Sequence, residues 1–381
     1  MRILQVVARY YPELQYGGPP QKVHALSRGL QQRGHKVCVV TLHSTRRAAG
    51  QVEHEGIEVR YLPWLGRGTW QLPLGWGALA AAVRESDLVH CYGLYTLLCP
   101  VAAFWAGRLG RPFVLEPLGM YRPRTRSLRA KRLYHLVFTS WLGRRAARVI
   151  ATSPGEKEEL AGLVEPERLV VRRNGIDLEL FGALPPADRF LAAHGIADGE
   201  RVILYMGRIS PVKNLEQLVQ AFHDAALDGA RLALVGPALE PGYARRLVEL
   251  IGRLGLEGRV FLTSPRYGEA KLEALAAADL FVLPSLMESY GNAAAEAVAA
   301  GVPVLLTDGC GIAPQIHGRA GMAVPVGAAS LAEGLRAMME DGGLRDSLTR
   351  RRGEVLRELS WDEPLAQTEQ MYERLVRDAG R

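Results

Sequence analysis

Two carboxylates, Glu288 and Glu296, flank a predicted helix start in the segment 284–303. A buried strand precedes the segment, a polar loop follows, and a helix of small residues begins near Asn292. Gly291 lets a ligand approach the backbone closely, and the amides of the helix start can bind an anion. Because carboxylates accept hydrogen bonds from sugar hydroxyls, the pattern predicts a ligand with both phosphate and hydroxyl groups. The alternative is that both glutamates are solvated ends of a loop and a helix.

A glycine and two cations follow a second predicted strand, which ends at Met206. Gly207, Arg208 and Lys213 lie close together in the loop after it. Arginine offers a bidentate fork and lysine a mobile point charge, so the two could hold a diphosphate at the carboxyl end of the strand. The alternative is a basic loop without a ligand.

The first loop contains two glycines, Gly17 and Gly18, which would let the backbone lie against a bulky ligand group. The pair fits an ordinary turn equally well. It does not form G-x-G-x-x-G, and this disfavours a nicotinamide or flavin dehydrogenase.

Strand-like apolar runs alternate with helical patterns along most of the chain, which predicts an α/β fold with parallel sheets covered on both faces. The alternation restarts near residue 201, so we predict two doubly wound, Rossmann-like domains facing a cleft, with ligands beyond the carboxyl ends of the strands. The predicted domains are 1–184 and 185–361, joined by a linker at 181–200. A last helix within 362–381 could pack on either domain, and packing back on the N-terminal domain is one expectation.

The 381 residues are 48% hydrophobic and 23% charged, which is enough for two domains with buried cores. This composition excludes a disordered protein, a collagen-like repeat and a small disulfide scaffold. The four cysteines form no C-x-x-C pair, which favours reduced thiols in a cytoplasmic protein. Residues 1–8 are predicted to be the opening strand and not a leader, and 88–107 a strand, loop and helix and not a membrane span.

Positive charge is concentrated in the N-terminal half. Residues 1–184 contain 26 Lys and Arg against 14 Asp and Glu, a net charge of +12, whereas the remainder carries −5. No acidic residue lies between Glu116 and Glu156, where basic and apolar residues interleave at 122–148 as a basic loop and an amphipathic helix. The window is interpreted as a solvated basic face, as a surface for anionic lipid headgroups, or as a nucleic-acid site. The last is disfavoured because the chain has no recognisable nucleic-acid-reading module.

In their order and spacing, these motifs resemble those of the retaining GT-B glycosyltransferases of family 4. Glu288 to Glu296 is similar to the family's E-x7-E element, and Gly207-Arg208 with Lys213 is similar to its G-R-x4-K phosphate clamp. Three further similarities are less specific on their own: N-G-I-D at 174–177, the glycines at 17–18 and G-H-K-V at 34–37.

The resemblance implies roles for individual residues. Arg208 and Lys213 would hold the diphosphate of a sugar donor, Glu296 would bond the nucleotide ribose, and Glu288 would contact hydroxyls of the donor sugar. The other implied donor contacts are Gly17, Gly18, Gly207, Tyr290, Gly291 and Asn292 near the sugar and phosphate, with Arg266, Tyr267 and Lys271 near the base.

One departure from the family pattern concerns the residue after the strand that ends at Glu116. Many family members have a histidine there, close to the donor sugar, whereas this chain has Leu118, which cannot form that hydrogen bond. His90 is the nearest polar candidate, and it joins Glu288, Arg208 and Lys213 as an expected catalytic residue. The alternative is that His90 is a satisfied core histidine at a strand end.

The resemblance implies an enzyme of class EC 2.4. It would move a sugar from a nucleotide-diphosphate sugar to a hydroxyl of a glycan or lipid-linked acceptor in cell-envelope polysaccharide or glycoconjugate synthesis. Because the chain has no D-x-D sequence, we expect side chains and not a metal to neutralise the diphosphate, and we expect no cofactor.

The competing hypotheses are another enzyme of the same architecture, such as an epimerase or a phosphorylase, and a nucleotide-sugar-binding protein with little or no transferase activity. The expected location is cytoplasmic and peripheral on the membrane face through 122–148, with no nucleic acid as partner.

Overall fold

The computed structural model of the chain describes residues 1–13, 18–43, 49–66, 70–121 and 128–380. The chain divides into two compact units. Unit 1 consists of Met1–Gly175 with the C-terminal segment from Trp361, and unit 2 is Ile176–Ser360. Each unit has a mainly parallel sheet with helices, so the predicted α/β class is confirmed.

The strands of unit 1 are β1 (Arg2–Val7), β2 (Lys36–Leu42), β3 (Gly50–His54), β4 (Ile57–Leu62), β5 (Trp64–Leu65), β6 (Leu72–Pro73), β7 (Leu88–Tyr92), β8 (Phe113–Glu116), β9 (Arg148–Ala151) and β10 (Leu169–Val171). Eight of the described strands form one sheet in the order β10-β9-β8-β7-β1-β2-β4-β3. Only the β3–β4 pair within that sheet is antiparallel, while β5 and β6 form a separate antiparallel pair.

The first helices of unit 1 are α1 (Gly18–Gln32), α2 (Trp76–Glu85), α3 (Leu98–Arg108), α4 (Leu128–Tyr134), α5 (Ser140–Arg145) and α6 (Pro154–Leu160). A π-helical turn, His135–Thr139, joins α4 to α5. Helix α1 buries Val23, Leu26 and Leu30. It ends before Gly34, whose left-handed φ of +87° is the conformation that glycine adopts without strain at a helix C-terminus.

The apolar stretch at 88–107 folds as the sequence predicts, with β7, a loop and most of α3. All five residues of β7 are buried, which is typical of a parallel strand covered on both faces. Among the described residues, no helix combines the length and the apolarity that crossing a membrane would require.

Unit 2 contains the strands β11 (Arg201–Met206), β12 (Ala230–Val235), β13 (Val260–Thr263), β14 (Leu280–Leu283), β15 (Val304–Thr307) and β16 (Gly321–Val324). They form a parallel sheet in the order β13-β12-β11-β14-β15-β16. Its helices are α7 (Asp188–Ala193), α8 (Leu215–Ala225), α9 (Pro241–Arg253), α10 (Glu269–Ala276), α11 (Asn292–Ala299), α12 (Ala313–Ile316), α13 (Ala328–Glu340), α14 (Gly342–Arg351) and α15 (Gly353–Leu359).

The boundary between the units falls between Gly175 and Ile176, earlier than the predicted division at 184 and 185. Ile176 N–H donates to Leu359 O at 2.8 Å, and Ile176 is buried in the core of unit 2. The predicted linker at 181–200 is also part of that core, because Phe190 on α7 is buried there. The two prolines within 181–200 suggested a linker, but tertiary packing decides the boundary.

The C-terminal helix, α16 (Asp362–Ala379), belongs to unit 1. It packs closely on α1, since a Cβ added to Gly29 would lie 2.4 Å from Leu365 Cδ1. Glu369 of α16 accepts hydrogen bonds from Arg33 Nη1 at 2.9 Å and lies 2.8 Å from His35 Nε2. Hydrogen bonding to His35 and Arg33 outweighs partial burial and lowers the pKa of the Glu369 carboxyl.

Candidate active site

The strongest predicted motifs lie at the switch point of the unit 2 sheet. The chain enters at β11, continues to β12 and β13 on one side, and then crosses back to β14 on the other side of β11. β11 and β14 are paired neighbours, with Ile203 opposite Leu280. The loops after β11 and β14 therefore leave the same edge of the sheet next to each other, which is where open α/β sheets bind ligands.

The loop after β11 begins with a close backbone crossing. Gly207 N–H donates to Val235 O at 3.0 Å, and a Cβ on Gly236 would lie only 1.8 Å from Gly207 O. The hydroxyl of buried Tyr205 donates to Arg208 O at 2.8 Å, which fixes the turn while the Arg208 side chain stays exposed. Burial raises the pKa of the Tyr205 hydroxyl well above its ordinary value, so the hydroxyl remains a donor.

Lys213 and Glu288 form an ion pair at this edge. Lys213 ends a 3₁₀ turn, Pro211–Lys213. The Leu286 N–H donates to Val212 O at 3.0 Å, so the two loops are joined next to the pair. Lys213 Nζ donates to Glu288 Oε2, and both side chains are largely buried. The structure thus brings together two of the residues that the sequence placed in separate motifs.

A further loop holds the backbone around Glu288. Glu288 N–H donates to Gly309 O and Gly311 N–H donates to Glu288 O, each at 2.9 Å. Ile312 N–H donates to Tyr290 O at 2.8 Å. These backbone hydrogen bonds pair residues 288–290 with residues 309–312. The segment from 288 to 290 is therefore held in place by the protein itself, before any ligand binds.

Gly291 is the N-cap of α11 and needs to be glycine for two reasons. Its φ of +119° lies in the left-handed region, and a Cβ there would lie 2.9 Å from Ile312 Cγ2. No side chain caps this described helix start. Ala294 and Ala295 N–H groups bond to Gly291 O, so α11 begins directly after Gly291, with Asn292 first. An uncapped eight-residue helix start can accept an anion.

Glu296 lies one turn into α11 and is paired with Lys271. Lys271 Nζ donates to Glu296 Oε1 at 2.8 Å and also lies 5.6 Å from the ring centroid of Phe181. Both charged side chains are largely buried. The sequence singled out both residues for different reasons but contained no sign that they form a pair, because α10 and α11 are brought together only by the sheet.

Arg266 follows β13 and sits in an aromatic environment. Its Nη2 lies 3.3 Å from His194 Nε2, and its guanidinium lies 5.9 Å from the Phe190 ring centroid. The His194 ring stacks on Phe261 at 4.6 Å. Burial and the nearby Arg266 charge lower the pKa of His194, so the neutral ring can accept from the guanidinium. Tyr267, the next residue, is exposed.

Phe190 and His194 are not among the predicted site residues, because both lie in the segment that the sequence predicts as a linker. A usable signal was present, since Asp188 begins a short helical run that carries buried Phe190.

Two of the site residues that the sequence predicts in unit 1, Gly18 and His90, lie in different environments. Gly18 is the first residue of α1, whereas Gly17 lies outside the described residues. His90 is fully buried in β7. Its ring stacks on Tyr92 at 3.9 Å, and its Nδ1 is bonded to the Tyr372 hydroxyl of α16.

The structure places His90 in the core of unit 1, and its expected catalytic role stays a prediction. Burial lowers the pKa of His90 well below its ordinary value, and the ring has no exposed surface with which to meet a sugar. The alternative of a core histidine fits its position, but only Nδ1 is bonded, because the buried Nε2 has no hydrogen-bond partner among the described residues and lies 3.5 Å from Glu116 Oε2.

The loop that carries Leu118 is held by a buried carboxylate. Leu118 has a φ of +58°, unusual for a branched side chain, and its side chain packs against the core of unit 1. The next amide, Gly119 N–H, donates to Glu156 Oε1 at 2.5 Å. Burial raises the pKa of Glu156, although Thr152 donates to it through both N–H and hydroxyl.

Two family profiles match the chain. The profile described as glycosyl transferases group 1 matches residues 187–354, and that of the glycosyl transferase 4-like domain matches residues 17–175. Together they cover most of the chain. The chain belongs to the group 1 glycosyltransferases.

Two relatives of this glycosyltransferase are themselves named as sugar transferases. It is 27% identical to the GDP-mannose:cellobiosyl-diphosphopolyprenol alpha-mannosyltransferase of Xanthomonas campestris, over 81% of this chain and 79% of that protein. It is 28% identical to the D-inositol 3-phosphate glycosyltransferase of a Nocardioides species, over 94% and 85%.

Solved structures share its GT-B fold. Anabaena HepE in complex with UDP and glucose superposes with a TM-score of 0.81 at 22% identity, over 98% of this chain and 99% of HepE. Sucrose-phosphate synthase from Thermosynechococcus elongatus gives a TM-score of 0.78 at 22% identity, over 98% of each chain.

The residues of unit 2 that the sequence predicts for a donor site therefore lie around one sheet edge, four of them in two ion pairs. Among the described residues, no group of three or more His, Cys, Asp or Glu side chains is arranged to hold a metal ion. The polar groups that the site offers are two acid–base pairs, an exposed arginine and a helix start.

Proposed function

We propose that the enzyme transfers a sugar from a nucleotide-diphosphate sugar to an acceptor hydroxyl with retention of anomeric configuration. One observation carries this proposal: Arg208, the Lys213–Glu288 pair and the start of α11 lie on adjacent loops at the sheet switch point. Cations next to a helix N-terminus suit a diphosphate, and a carboxylate beside them suits sugar hydroxyls.

Arg208, Lys213 and the amides at the start of α11 would hold the diphosphate. Glu288 already accepts from Lys213 through Oε2, and a carboxylate accepts several hydrogen bonds. It can therefore orient Lys213 and accept from a donor-sugar hydroxyl at the same time. The rigid backbone on either side of Glu288 would keep both contacts in place without reorganisation.

Glu296 would accept a hydrogen bond from the nucleotide ribose while Lys271 holds its other side. The base would lie toward Arg266 and the exposed Tyr267, in the loop after β13. The neutral His194 ring and Phe190 hold the Arg266 guanidinium in position. These two residues would thus affect how firmly the base is held without touching it.

In the reaction, the bond between the anomeric carbon and the phosphate oxygen breaks, and its electron pair leaves with the nucleotide diphosphate. The acceptor oxygen forms the new bond from the same face, and its proton passes to an oxygen of the departing diphosphate. Negative charge grows on the departing diphosphate as the bond loosens. Fixed cations and amides at that position stabilise the transition state more than the ground state.

The comparisons support the donor class and bear on the acceptor. HepE was crystallised with UDP-glucose, and the Xanthomonas campestris relative is named for a GDP-mannose donor and a diphosphopolyprenol-linked acceptor. We infer a glycan or lipid-linked acceptor in cell-envelope polysaccharide or glycoconjugate synthesis.

We also infer that the basic window at 122–148 docks the enzyme on the cytoplasmic face of an anionic membrane. Residues 122–127 of this window lie outside the described residues.

The test is to incubate the enzyme with UDP- and GDP-sugars and candidate acceptors and to measure nucleotide diphosphate release. A thermal-shift screen first identifies the base, because a nucleotide at about 100 times its Kd adds about 2.7 kcal/mol of stability. We expect acceptor-dependent release that persists in EDTA, and a product that retains the donor's anomeric configuration by NMR. Binding without release would instead support a nucleotide-sugar-binding protein, and an altered sugar without transfer would support an epimerase.

Glu296→Gln is expected to weaken nucleotide diphosphate binding by about 10- to 100-fold, because a charge-assisted hydrogen bond to the ribose is worth about 1.5–3 kcal/mol. Isothermal titration calorimetry with the nucleotide found in the screen measures the change. Glu216→Gln is the matched control, since Glu216 pairs with Arg246 on an exposed surface of the same unit. Equal affinities of Glu296→Gln and wild type would remove Glu296 from the ribose site.

A further inference from the structure

An apolar groove of about 450 Å³ opens on the surface of unit 1. It is formed by residues of α2, α3, the π-helical turn and α5, together with adjoining segments. All of its lining side chains are apolar or aromatic, among them Trp76, Phe104, Val137, Phe138 and Trp141. None of these residues belongs to the proposed donor site.

The groove is part of a wider exposed apolar surface. Phe104 is 48% exposed and Val137 is 49% exposed, so each keeps about half of its side chain in water. Leu136, which neighbours Val137 on the π-helical turn, is 77% exposed. Contiguous apolar surface of this kind indicates a binding face in a folded protein.

Basic residues occur on α5, which helps to form this surface, and on α4, which precedes the π-helical turn. The Arg145 guanidinium lies 5.5 Å from the Trp141 ring centroid and reaches toward α3, where its Nη1 would be 3.9 Å from a Cβ on Gly107. Arg144 is exposed beside it, and Arg129, Lys131 and Arg132 are on α4. No acidic residue occurs in the sequence between Glu116 and Glu156.

We propose that the groove holds a hydrocarbon chain of an anionic phospholipid when the enzyme docks on a membrane. The inference rests on the membrane docking in the proposed function and deepens it. The apolar lining suits the chain, and the basic residues of α4 and α5 suit the phosphate to which the chain is attached. Charge alone would place the protein on the headgroups, whereas the groove takes one chain out of the bilayer.

Charge complementarity favours this occupant over two others. In a two-fold contact with a second copy, the patch would meet itself, and the basic side chains of the two copies would repel each other. A nucleic acid would satisfy the cations but would provide no aliphatic group for the groove.

The first experiment is flotation of the full-length enzyme with vesicles of phosphatidylcholine, alone or mixed in equal parts with phosphatidylglycerol. Phe104→Ser with Val137→Ser is expected to lower the partition coefficient about tenfold, because each side chain loses apolar burial. Arg144→Gln with Arg145→Gln is expected to lower binding to the mixed vesicles about fivefold per arginine.

Matched controls come from unit 2. Leu180 and Val248 are 52% and 58% exposed, so Leu180→Ser with Val248→Ser removes similar surface away from the groove. Arg350 and Arg351 end α14 as Arg144 and Arg145 end α5, so Arg350→Gln with Arg351→Gln is the charge control. Both controls are expected to float like the wild type.

The second experiment tests directly whether a lipid acyl chain enters the groove. Trp76 and Trp141 line the groove, so phospholipid brominated along its acyl chains is expected to quench the tryptophan fluorescence of the wild-type enzyme. Trp76→Phe with Trp141→Phe is expected to abolish most of that quenching while the variant still floats. Equal quenching in this variant would show that no chain enters the groove and would overturn the proposal.

Two further results would also overturn it. If the serine groove variant floats like wild type while the Arg144/Arg145 variant does not, electrostatics alone holds the protein on the membrane. If wild type is a dimer by sedimentation and the serine groove variant is a monomer, the groove holds a second copy. Nucleotide diphosphate release by the same variants with a water-soluble acceptor tests the proposed transferase reaction separately.

Discussion

Replacing Lys213 by alanine is expected to lower kcat about 10²- to 10³-fold and to raise the donor KM, and Arg208→Ala is expected to do the same. This is the loss that follows the removal of one fixed donor to charge that develops in the transition state. Arg208 is held by the Tyr205 hydroxyl through its backbone, and Lys213 by Glu288. The measurement is steady-state nucleotide diphosphate release at varied donor concentration.

The ion pair makes a sharper version of this experiment possible. Lys213→Met alone removes the cation and also leaves Glu288 without its partner. Lys213→Met combined with Glu288→Gln removes the unpaired charge as well. If Lys213 acts on the diphosphate, the double variant stays as impaired as Lys213→Met or more so.

A double variant with near wild-type turnover would mean that Lys213 serves only to balance Glu288, and the phosphate clamp would be wrong. Arg246→Ala is the control, because it breaks an exposed ion pair of the same unit away from the sheet edge. We expect it to leave kcat and KM unchanged.

Glu116→Ala is expected to destabilise unit 1 by about 3–5 kcal/mol, because it leaves buried cations without their counter-charge. Glu116 Oε1 accepts from Lys22 Nζ, and Glu116 Oε2 accepts from Arg172 Nη2 at 2.6 Å. All three side chains are almost completely buried. Burial lowers the pKa of Lys22 to about 8 despite the opposing effect of Glu116.

Tryptophan fluorescence provides a selective measurement, since the six tryptophans of the chain are all in unit 1. They are Trp64, Trp70, Trp76, Trp105, Trp141 and Trp361. Urea unfolding followed by this signal reports on unit 1 even if the two units unfold in separate transitions.

The matched control is Glu369→Ala on α16. Glu369 also pairs with a cation on a neighbouring segment of unit 1, but its ion pair is partly exposed to solvent. We expect a cost of about 1 kcal/mol or less for its loss. Equal midpoints for Glu116→Ala and Glu369→Ala would contradict a buried charge network that depends on Glu116.

The same network borders His90, whose Nε2 lies 3.5 Å from Glu116 Oε2, and no local sequence pattern indicated that His90 is buried there. Its position at a strand end fits a ligand site as well as a core site. The choice depends on Tyr372 and the rest of α16, which follow in the chain only after the whole of unit 2. No local pattern relates His90 to a helix so distant in sequence.

The strands, turns and helix starts of the proposed donor site were more predictable because they are local. Each part consists of an apolar run, a glycine that permits a special backbone conformation, and a charged residue within a few positions. Chain direction then places the ends of parallel strands at one edge of the sheet. Neighbouring residues are therefore enough to predict the strand, the turn and the helix start of each motif.

The sequence did not predict which charged side chains of these motifs form ion pairs with each other. Lys213 and Glu288 are 75 positions apart, and Lys271 and Glu296 are 25 apart. Charge attraction has no sequence period, so nothing along the chain distinguishes these partners from the other acidic and basic residues. The order of strands in the sheet selects them.

The amino-acid sequence alone was sufficient for the α/β class, the repeated strand–helix units and the motifs that belong to a sugar transferase, because backbone sterics and apolar periodicity act over a few residues. Folding in three dimensions decided which charges pair, that His90 is buried, that the segment after Gly175 belongs to unit 2, and that apolar side chains from separate helices form a groove. Each of these depends on contacts between distant residues, whose free energy exists only once the sheets and helices have packed.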